Sequence, residues 1–234
     1  MENKMKENSF NLSQKLIDKF TDINDSRRKI VLLCTGSFNP IHKMHIIQFQ
    51  LAKEYLESEF NYNIVGAIIS PSHDKYLKRK LGDEAIPFQE RVLMCKKAIL
   101  EEKLENWMII DEWEGNQDEF LDFFEIIQIV QNRISKNFPN SKIDVIYVCG
   151  MDHFLRYKCY ERTGYAVVER IGFSLEDSKF KTDQNRDIYF FKNTKKGFSM
   201  SSSKIRELRD KGESFDELTY KSVIERLNEI GWNQ

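Results

Sequence analysis

Lys29-Ile30-Val31-Leu32-Leu33-Cys34 runs directly into Thr35-Gly36-Ser37-Phe38-Asn39-Pro40-Ile41-His42-Lys43-Met44-His45. The first part is short and unbroken in its apolar character. It suits a strand covered on both faces, as in the middle of a parallel sheet. Gly36 then lets the backbone approach a ligand closely. After Pro40 the pattern changes: Met44, Ile47, Leu51 and Tyr55 recur at helical spacing, so a helix is expected to about Glu59. His42 and His45 share one face of its first turn. They stand beside a helix N-terminus, which favours anions.

The same alternation continues outward. Strands are expected at 63–70 (stopped by Pro71), 107–110, 142–149, 165–170 and 188–191. Helices are expected from Pro87 onward with Val92, Cys95 and Ile99 on one face, and over 117–137 with Phe120, Phe124, Ile127 and Val130 inward. Two more are expected at 202–211 and 215–230. Residues 72–80 read as a polar, basic loop, with His73 as an exposed loop histidine; His153 reads likewise. Before the first strand, Phe10, Leu12, Leu16, Ile17, Phe20 and Ile23 recur at roughly helical spacing. Strands alternating with helices imply a doubly wound, Rossmann-like α/β parallel sheet. We expect a helical extension at 1–28 and one domain over 29–234.

A chain of 234 residues can bury one core without disulfide staples or a structural metal. Lys and Arg number 36 against 37 Asp and Glu, so no global positive field exists to attract nucleic acid. No apolar run approaches the length of a membrane span, and the first thirty residues lack the apolar stretch of a signal peptide. Cys34, Cys95, Cys149 and Cys159 form no Cys-x-x-Cys pair, and Cys34 and Cys149 sit in apolar runs. The expectation is a reduced intracellular protein, cytoplasmic or nuclear, with no nucleic-acid or membrane partner. A homo-oligomer is left open.

In open α/β sheets ligands sit at the carboxyl ends of strands. Residues 36–45, 71–80, 111–114 and 150–152 all follow strands and converge on that edge. Met200-Ser201-Ser202-Ser203-Lys204-Ile205-Arg206 opens a helix with consecutive hydroxyls and two cations, a composition suited to phosphate. Taken singly, each piece has a plain alternative. The two histidines fit a surface pair or half of a zinc site, and the serines an ordinary helix cap. Lys78-Arg79-Lys80 fits a solvated loop, Trp113 a core cap, Asp152 a helix cap, and Arg170 an ion pair.

Together these strings resemble the nucleotidylyltransferases with a His-x-x-His or His-x-Gly-His motif, and more closely the eukaryotic type of nicotinamide (or nicotinate) mononucleotide adenylyltransferase. Residues 36–45 are similar to the adenylate-binding motif, and 69–78 and 86–95 to the second substrate loop and the helix after it. Asp111-Glu112-Trp113-Glu114 resembles the segment with the base-stacking Trp, Cys149-Gly150-Met151-Asp152 the ribose-binding turn, and 200–206 the phosphate clamp. The resemblance spans about 29–228. It implies adenylyl transfer from ATP to the mononucleotide, giving NAD or its acid form and pyrophosphate. His45, supported by His42, would stabilise the reacting phosphate, with Lys204 and Arg206 completing the catalytic set. Gly36, Ser37, Phe38, Gly150, Asp152, Ser201 and Ser203 would bind ATP. Lys78, Trp113 and Arg170 would bind the mononucleotide. Mg²⁺ would be held through substrate phosphates, with no dedicated protein cage.

One departure stands out. The family has a long stretch with a second Trp after the ribose-binding turn, whereas 153–164 is short and contains no Trp. Phe154, Tyr157 and Tyr160 are the aromatics left there. Trp113 is therefore expected to wall the ring alone, with poor discrimination between acid and amide. Two other readings stay open: a related transferase acting on another phosphomonoester, such as a cytidylyltransferase, and a nucleotide-binding module without turnover.

Overall fold

The computed structural model describes residues 10, 14–22, 24–162, 164–169, 181–193 and 200–232. Its strands are β1 (Lys29–Gly36), β2 (Asn63–Pro71), β3 (Met108–Ile110), β4 (Ile143–Gly150), β5 (Tyr165–Val168) and β6 (Ile188–Phe191). They form one parallel sheet in the order β3-β2-β1-β4-β5-β6. The helices are α1 (Gln14–Thr21), α2 (Lys43–Phe60), α3 (Asp74–Leu81), α4 (Phe88–Glu101), α5 (Phe123–Asn137), α6 (Met151–Arg156), α7 (Ser202–Asp210) and α8 (Lys221–Glu229).

β1 holds the centre, paired with β2 on one side and β4 on the other. Successive side chains point to opposite faces, so its apolar run supplies two cores. Ile30 and Leu32 pack with Ile46, Phe49 and Leu56 of α2, together with residues of α4, α7 and α8. Val31 and Leu33 pack with Leu16 and Phe20 of α1, Ile126, Val130 and Ile134 of α5, and Phe154 of α6. Helices thus cover both faces, and the doubly wound single domain expected from the sequence is the observed architecture.

At the amino ends of the strands Arg28 ties the sheet across its width. Its Nε donates to Asp144 at 2.7 Å, and its two terminal nitrogens donate to Asp187 at 2.6 and 2.9 Å. The half-buried pair holds the Asp187 carboxyl below its usual range, chiefly through the Arg28 hydrogen bond. The opposite, carboxyl edge is left to loops.

Several expectations need correction. The loop over 72–80 is in fact helix α3, started by His73, whose Nδ1 accepts from the Lys75 amide at 3.0 Å. His73 is buried and its Nε2 lies 3.0 Å from Gln117 O, so it is not an exposed loop residue. α5 starts at 123 rather than 117, because Asp122 and Glu125 form a reciprocal capping box. Phe120 consequently lies ahead of the helix and is exposed. A short helix, α6, follows β4, and α8 begins at Lys221 rather than 215. The cysteines are buried thiols, and no helix among the described residues is long and apolar enough to cross a membrane.

α1 is seated by Phe20, which is 2% exposed and meets Phe138 edge-on at 5.0 Å. It also covers Gly66 of β2, where an added Cβ would come within 3.3 Å of its ring. Phe20→Ala should lower unfolding stability by about 3 kcal/mol, measured by urea denaturation. A change below about 0.5 kcal/mol would mean that α1 adds nothing to the core.

Candidate active-site cleft

The strand order reverses between β1 and β4, so a crevice opens at their carboxyl ends. A cleft of about 360 Å³ lies there. Gly36, Ser37 and Phe38 line it after β1, and Gly150 and Asp152 after β4; His45 reaches it from α2. Six residues assigned from sequence therefore share one cavity.

His45 is held in a defined state. The His42 backbone N–H donates to its Nδ1 at 3.1 Å. An imidazole nitrogen that accepts carries no proton, so the neutral ring keeps its proton on Nε2. The rings of His42 and His45 stack at 3.5 Å, and Phe38 meets His45 edge-on at 4.7 Å. His42 is buried behind its partner, 3% exposed, and does not line the cleft. The first amide of α2, expected to help an anion site, donates instead to Leu218 O.

The serine-rich segment docks on this motif. Ser202 Oγ donates to Pro40 O at 2.9 Å, and Arg206 donates to Asn39 O at 3.0 Å. Ser201 caps α7 by accepting from the Lys204 amide at 3.1 Å. Arg206 also reaches Ser203 Oγ and Glu84. Lys204 lies outward with Glu207 at 3.0 Å. Residues 36–45 and 200–206 are thus neighbours, although Ser201, Ser203, Lys204 and Arg206 stand beside the cleft rather than lining it.

The mononucleotide residues are placed differently from expectation. Lys78 is exposed on α3 and outside the cleft; Lys80, two residues on, lines it and lies 3.3 Å from Ser37 Oγ. Burial first, then the nearby Arg206 and Arg156 charges, lower the Lys80 pKa. Trp113 is 4% exposed in the core beneath α5 and does not reach the cleft. Arg170 lies outside the described residues. Of the aromatics left after Asp152, Phe154 is fully buried and only Tyr157 lines the cleft. Tyr157 joins His153, Phe123 and Tyr147 in one aromatic wall, with ring separations of 4.6 to 5.7 Å. His153 is therefore no exposed loop residue either: burial above all lowers its pKa to about 4.

Glu114 was missed by sequence reasoning, although it adjoins Trp113. It is 4% exposed, lines the cleft and accepts from Ser70 Oγ at 3.0 Å. Desolvation raises its pKa to about 7; hydrogen bonds from Ser70 and the His73 amide and the Arg91 charge only partly oppose this. A carboxyl whose folded pKa exceeds the unfolded value stabilises the fold at low pH. That contribution is lost as pH rises through the folded value. Against Glu114→Gln, wild-type stability should therefore decline by about 1 kcal/mol per pH unit between roughly pH 5 and 7. Denaturant melts of both proteins across that range test this; a pH-independent difference would show an already ionised carboxylate.

The sequence profile of the cytidylyltransferase-like family matches residues 33–208. The chain is 38% identical over 94 residues to nicotinamide/nicotinic acid mononucleotide adenylyltransferase 2 of Danio rerio, covering 40% of this chain and 29% of that protein. It is 35% identical over 111 residues to form 1 of Bos taurus, covering 47% and 37%. It thus spans about a third of the length of these relatives. With the Arabidopsis thaliana nicotinamide/nicotinic acid mononucleotide adenylyltransferase the match is longer, 24% identity over 218 residues, 86% of this chain and 88% of that one. Among solved structures, Plasmodium falciparum nicotinic acid mononucleotide adenylyltransferase complexed with APC superposes with a TM-score of 0.63 at 16% identity, over 88% of this chain and 98% of that chain. The profile match runs from β1 through the His42–His45 pair to α7, the elements that build the cleft, and the chain belongs to the cytidylyltransferase-like family.

Proposed function

We propose that the protein transfers the adenylyl group of ATP to nicotinamide or nicotinate mononucleotide, releasing pyrophosphate. The observation that carries this reading is His45. Its tautomer is set by the His42 amide, it lines the cleft, and the loop that carries it is held by the 200–206 segment. The named relatives act on these mononucleotides and point the same way.

In this reading a 5′-phosphate oxygen of the mononucleotide attacks the α-phosphorus of ATP. A new P–O bond forms there while the bond to the β-phosphate oxygen breaks, and pyrophosphate leaves. The phosphate nucleophile is already anionic, so no protein nucleophile is needed. The chain contributes positioning and charge stabilisation. His45 Nε2–H donates to the α-phosphate as negative charge builds on it. His42 is a positioning residue behind it. Lys204, on an exposed and reversible pair with Glu207, takes the β- and γ-phosphates with Ser203. Arg206 serves mainly to hold the Asn39 carbonyl, and so the histidine loop, against α7. Gly150 and Asp152 take the ATP ribose. Lys80 supplies the cation near Ser37 that was expected of Lys78.

Among the described residues no cluster of three or more His, Cys, Asp or Glu side chains could cage a metal. Mg²⁺ would enter with ATP as its phosphate-bound partner, where it would neutralise phosphate charge. A second reading, transfer of another nucleotide to another phosphomonoester, draws on the breadth of the family and on the buried Trp113. The deciding experiment is purified protein with Mg²⁺, ATP or CTP, and a panel of phosphomonoesters, read by pyrophosphate release and product mass. Dinucleotide formation from ATP and a pyridine mononucleotide is the expected result.

Two variants probe the roles. His45→Ala should lower turnover by about 10²–10³ with ATP affinity largely kept; near wild-type turnover would remove His45 from the chemistry. Lys204→Ala should weaken ATP by about tenfold and AMP little, in a calorimetric titration. Equal losses would place Lys204 away from the β- and γ-phosphates.

A further inference from the structure

The segment after the ribose-binding turn is where this chain departs from its family, and its side chains supply one wall of the cleft. α6 and the turn after it present His153, Arg156 and Tyr157 to the cavity. His153 and Tyr157 pack against Phe123 at 4.8 and 5.3 Å, while Tyr76 and Phe120, 5.9 Å apart, line the cavity from the α3 side. The Tyr76 and Tyr157 side chains also interact, so these rings form one aromatic lining, which suits a flat aromatic group. Arg156 emerges from this wall, one residue from Tyr157 and one helical turn from His153.

Its guanidinium is exposed and, among the described residues, makes no hydrogen bond or ion pair. The other cations around the cleft are engaged: Lys80 with Ser37, Arg91 with four acceptors, Arg206 with Asn39 and Ser203. The charge of Arg156 is nevertheless felt inside, where it lowers the pKa values of Lys80 and His153 and opposes the rise at Tyr76. The acidic groups facing the same space are Glu114, Asp122 and Asp152. Glu114 is pushed up to about 7, and Asp122 is occupied as the cap of α5. His153 is uncharged at neutral pH and its buried Nε2 has no partner.

We propose that Arg156 reads an anionic substituent on the aromatic ring of the substrate, so that the cleft takes the acid form of the mononucleotide in preference to the amide. The proposal rests on the adenylyl-transfer reading above. A guanidinium meets a carboxylate through two parallel charge-assisted hydrogen bonds, a geometry that a neutral amide cannot match. The other anion a mononucleotide offers is its phosphate. In the adenylyl-transfer reading that group goes to Lys80, whose Nζ lies 3.3 Å from Ser37 Oγ and 5.8 Å over the Tyr76 ring; both mononucleotides share the phosphate, so comparing them separates it from the ring substituent. Arg156 is thus a specificity-determining residue that sequence resemblance could not supply, because it lies in the stretch where the resemblance breaks.

The test is steady-state kinetics with nicotinate and nicotinamide mononucleotide at saturating MgATP, on wild type, Arg156→Gln and Arg156→Lys. Equilibrium binding of both mononucleotides to each protein is measured alongside. Wild type should prefer the acid in kcat/KM. Arg156→Gln should lose about tenfold or more toward the acid, mostly in KM, and stay within about twofold toward the amide. Arg156→Lys should recover part of the loss. Equal losses for both mononucleotides would put the guanidinium on the shared phosphate and overturn the proposal, as would no loss for either. If wild type joins neither mononucleotide to ATP, the adenylyl-transfer reading fails by itself. The binding arm then still decides on Arg156: tighter binding of the acid that Arg156→Gln abolishes supports it, and equal binding overturns it.

Discussion

The carboxyl edge of the sheet is organised around one buried guanidinium. Arg91 of α4 is fully buried and donates to Ile86 O at 2.9 Å, Ser37 O at 2.9 Å, Ser72 O at 2.7 Å and Asp74 Oδ1 at 2.9 Å. These acceptors belong to the loop after β1, the loop after β2, the first residue of α3 and the turn before α4. A buried charge is tolerated only when its partners are complete, and losing one partner typically costs 3–5 kcal/mol. The three connections therefore cannot move independently. Asn39, itself fully buried, adds to the clamp by donating to Glu84 O at 2.9 Å and accepting from Ile86 N at 2.8 Å. Desolvation lowers the Arg91 pKa while Asp74 opposes the shift.

From this clamp the histidine end of the cleft follows. Ser37 O is fixed by Arg91, and the Asn39 and Pro40 carbonyls are taken by Arg206 and Ser202 of α7. On the far side Thr219 Oγ1 donates to Ile41 O at 2.7 Å, and the Lys43 amide donates to Leu218 O. Every stretch around the His42–His45 pair is thus anchored by a different element. That anchoring lets the His42 amide set the tautomer of His45, since a donor free to drift by an ångström would not hold the ring. The proposed reaction, which relies on positioning, would draw on this kind of rigidity. Here it is assembled from elements far apart in the chain.

Much of this was legible in the sequence, and the reason is the same in each case. Strands β1, β2 and β4 are covered on both faces, so their apolar runs carry an unambiguous signal. The motifs at 36–45, 149–152 and 200–206 combine residue types that are individually ordinary and jointly rare. What failed was local. α3 was read as a loop because Lys75-Tyr76-Leu77-Lys78-Arg79-Lys80 shows only Leu77 to the core, and a one-residue anchor leaves no period to detect. α6 is only six residues long and hides its two buried positions, Met151 and Phe154, behind a motif. Lys78 was chosen over Lys80 because the resemblance fixes a string and not the direction each side chain takes once that string coils into a helix. Glu114 and Arg91 were invisible as functional groups, because their importance comes from burial.

Trp113 shows how the ring end of the cleft came to depend on the other wall. Its segment is tied down along its length. Asp111 pairs with Arg133 at 2.5 Å and accepts from the Trp113 amide at 3.3 Å; Asn116 donates to Glu112 O at 2.8 Å and Gln117 to Trp113 O at 2.7 Å. Arg133 also lies 5.8 Å over the indole. Gly115 closes the turn against Phe88, where an added Cβ would come within 2.0 Å of the ring. In this arrangement Trp113 faces the core beneath α5, and Glu114, one residue later, faces the cleft. The Asp111 and Gln117 hydrogen bonds hold the Trp113 backbone, and twisting that backbone to bring the indole into the cavity would break them and carry Glu114 away from Ser70. The indole is held as a packing residue by the same contacts that aim the carboxyl. The rings that do line the cleft are carried by other elements, Tyr76, Phe123 and Tyr157. One of them, Tyr157, stands at the end of α6 in the connection after β4, and Phe123 of α5 packs against it at 5.3 Å.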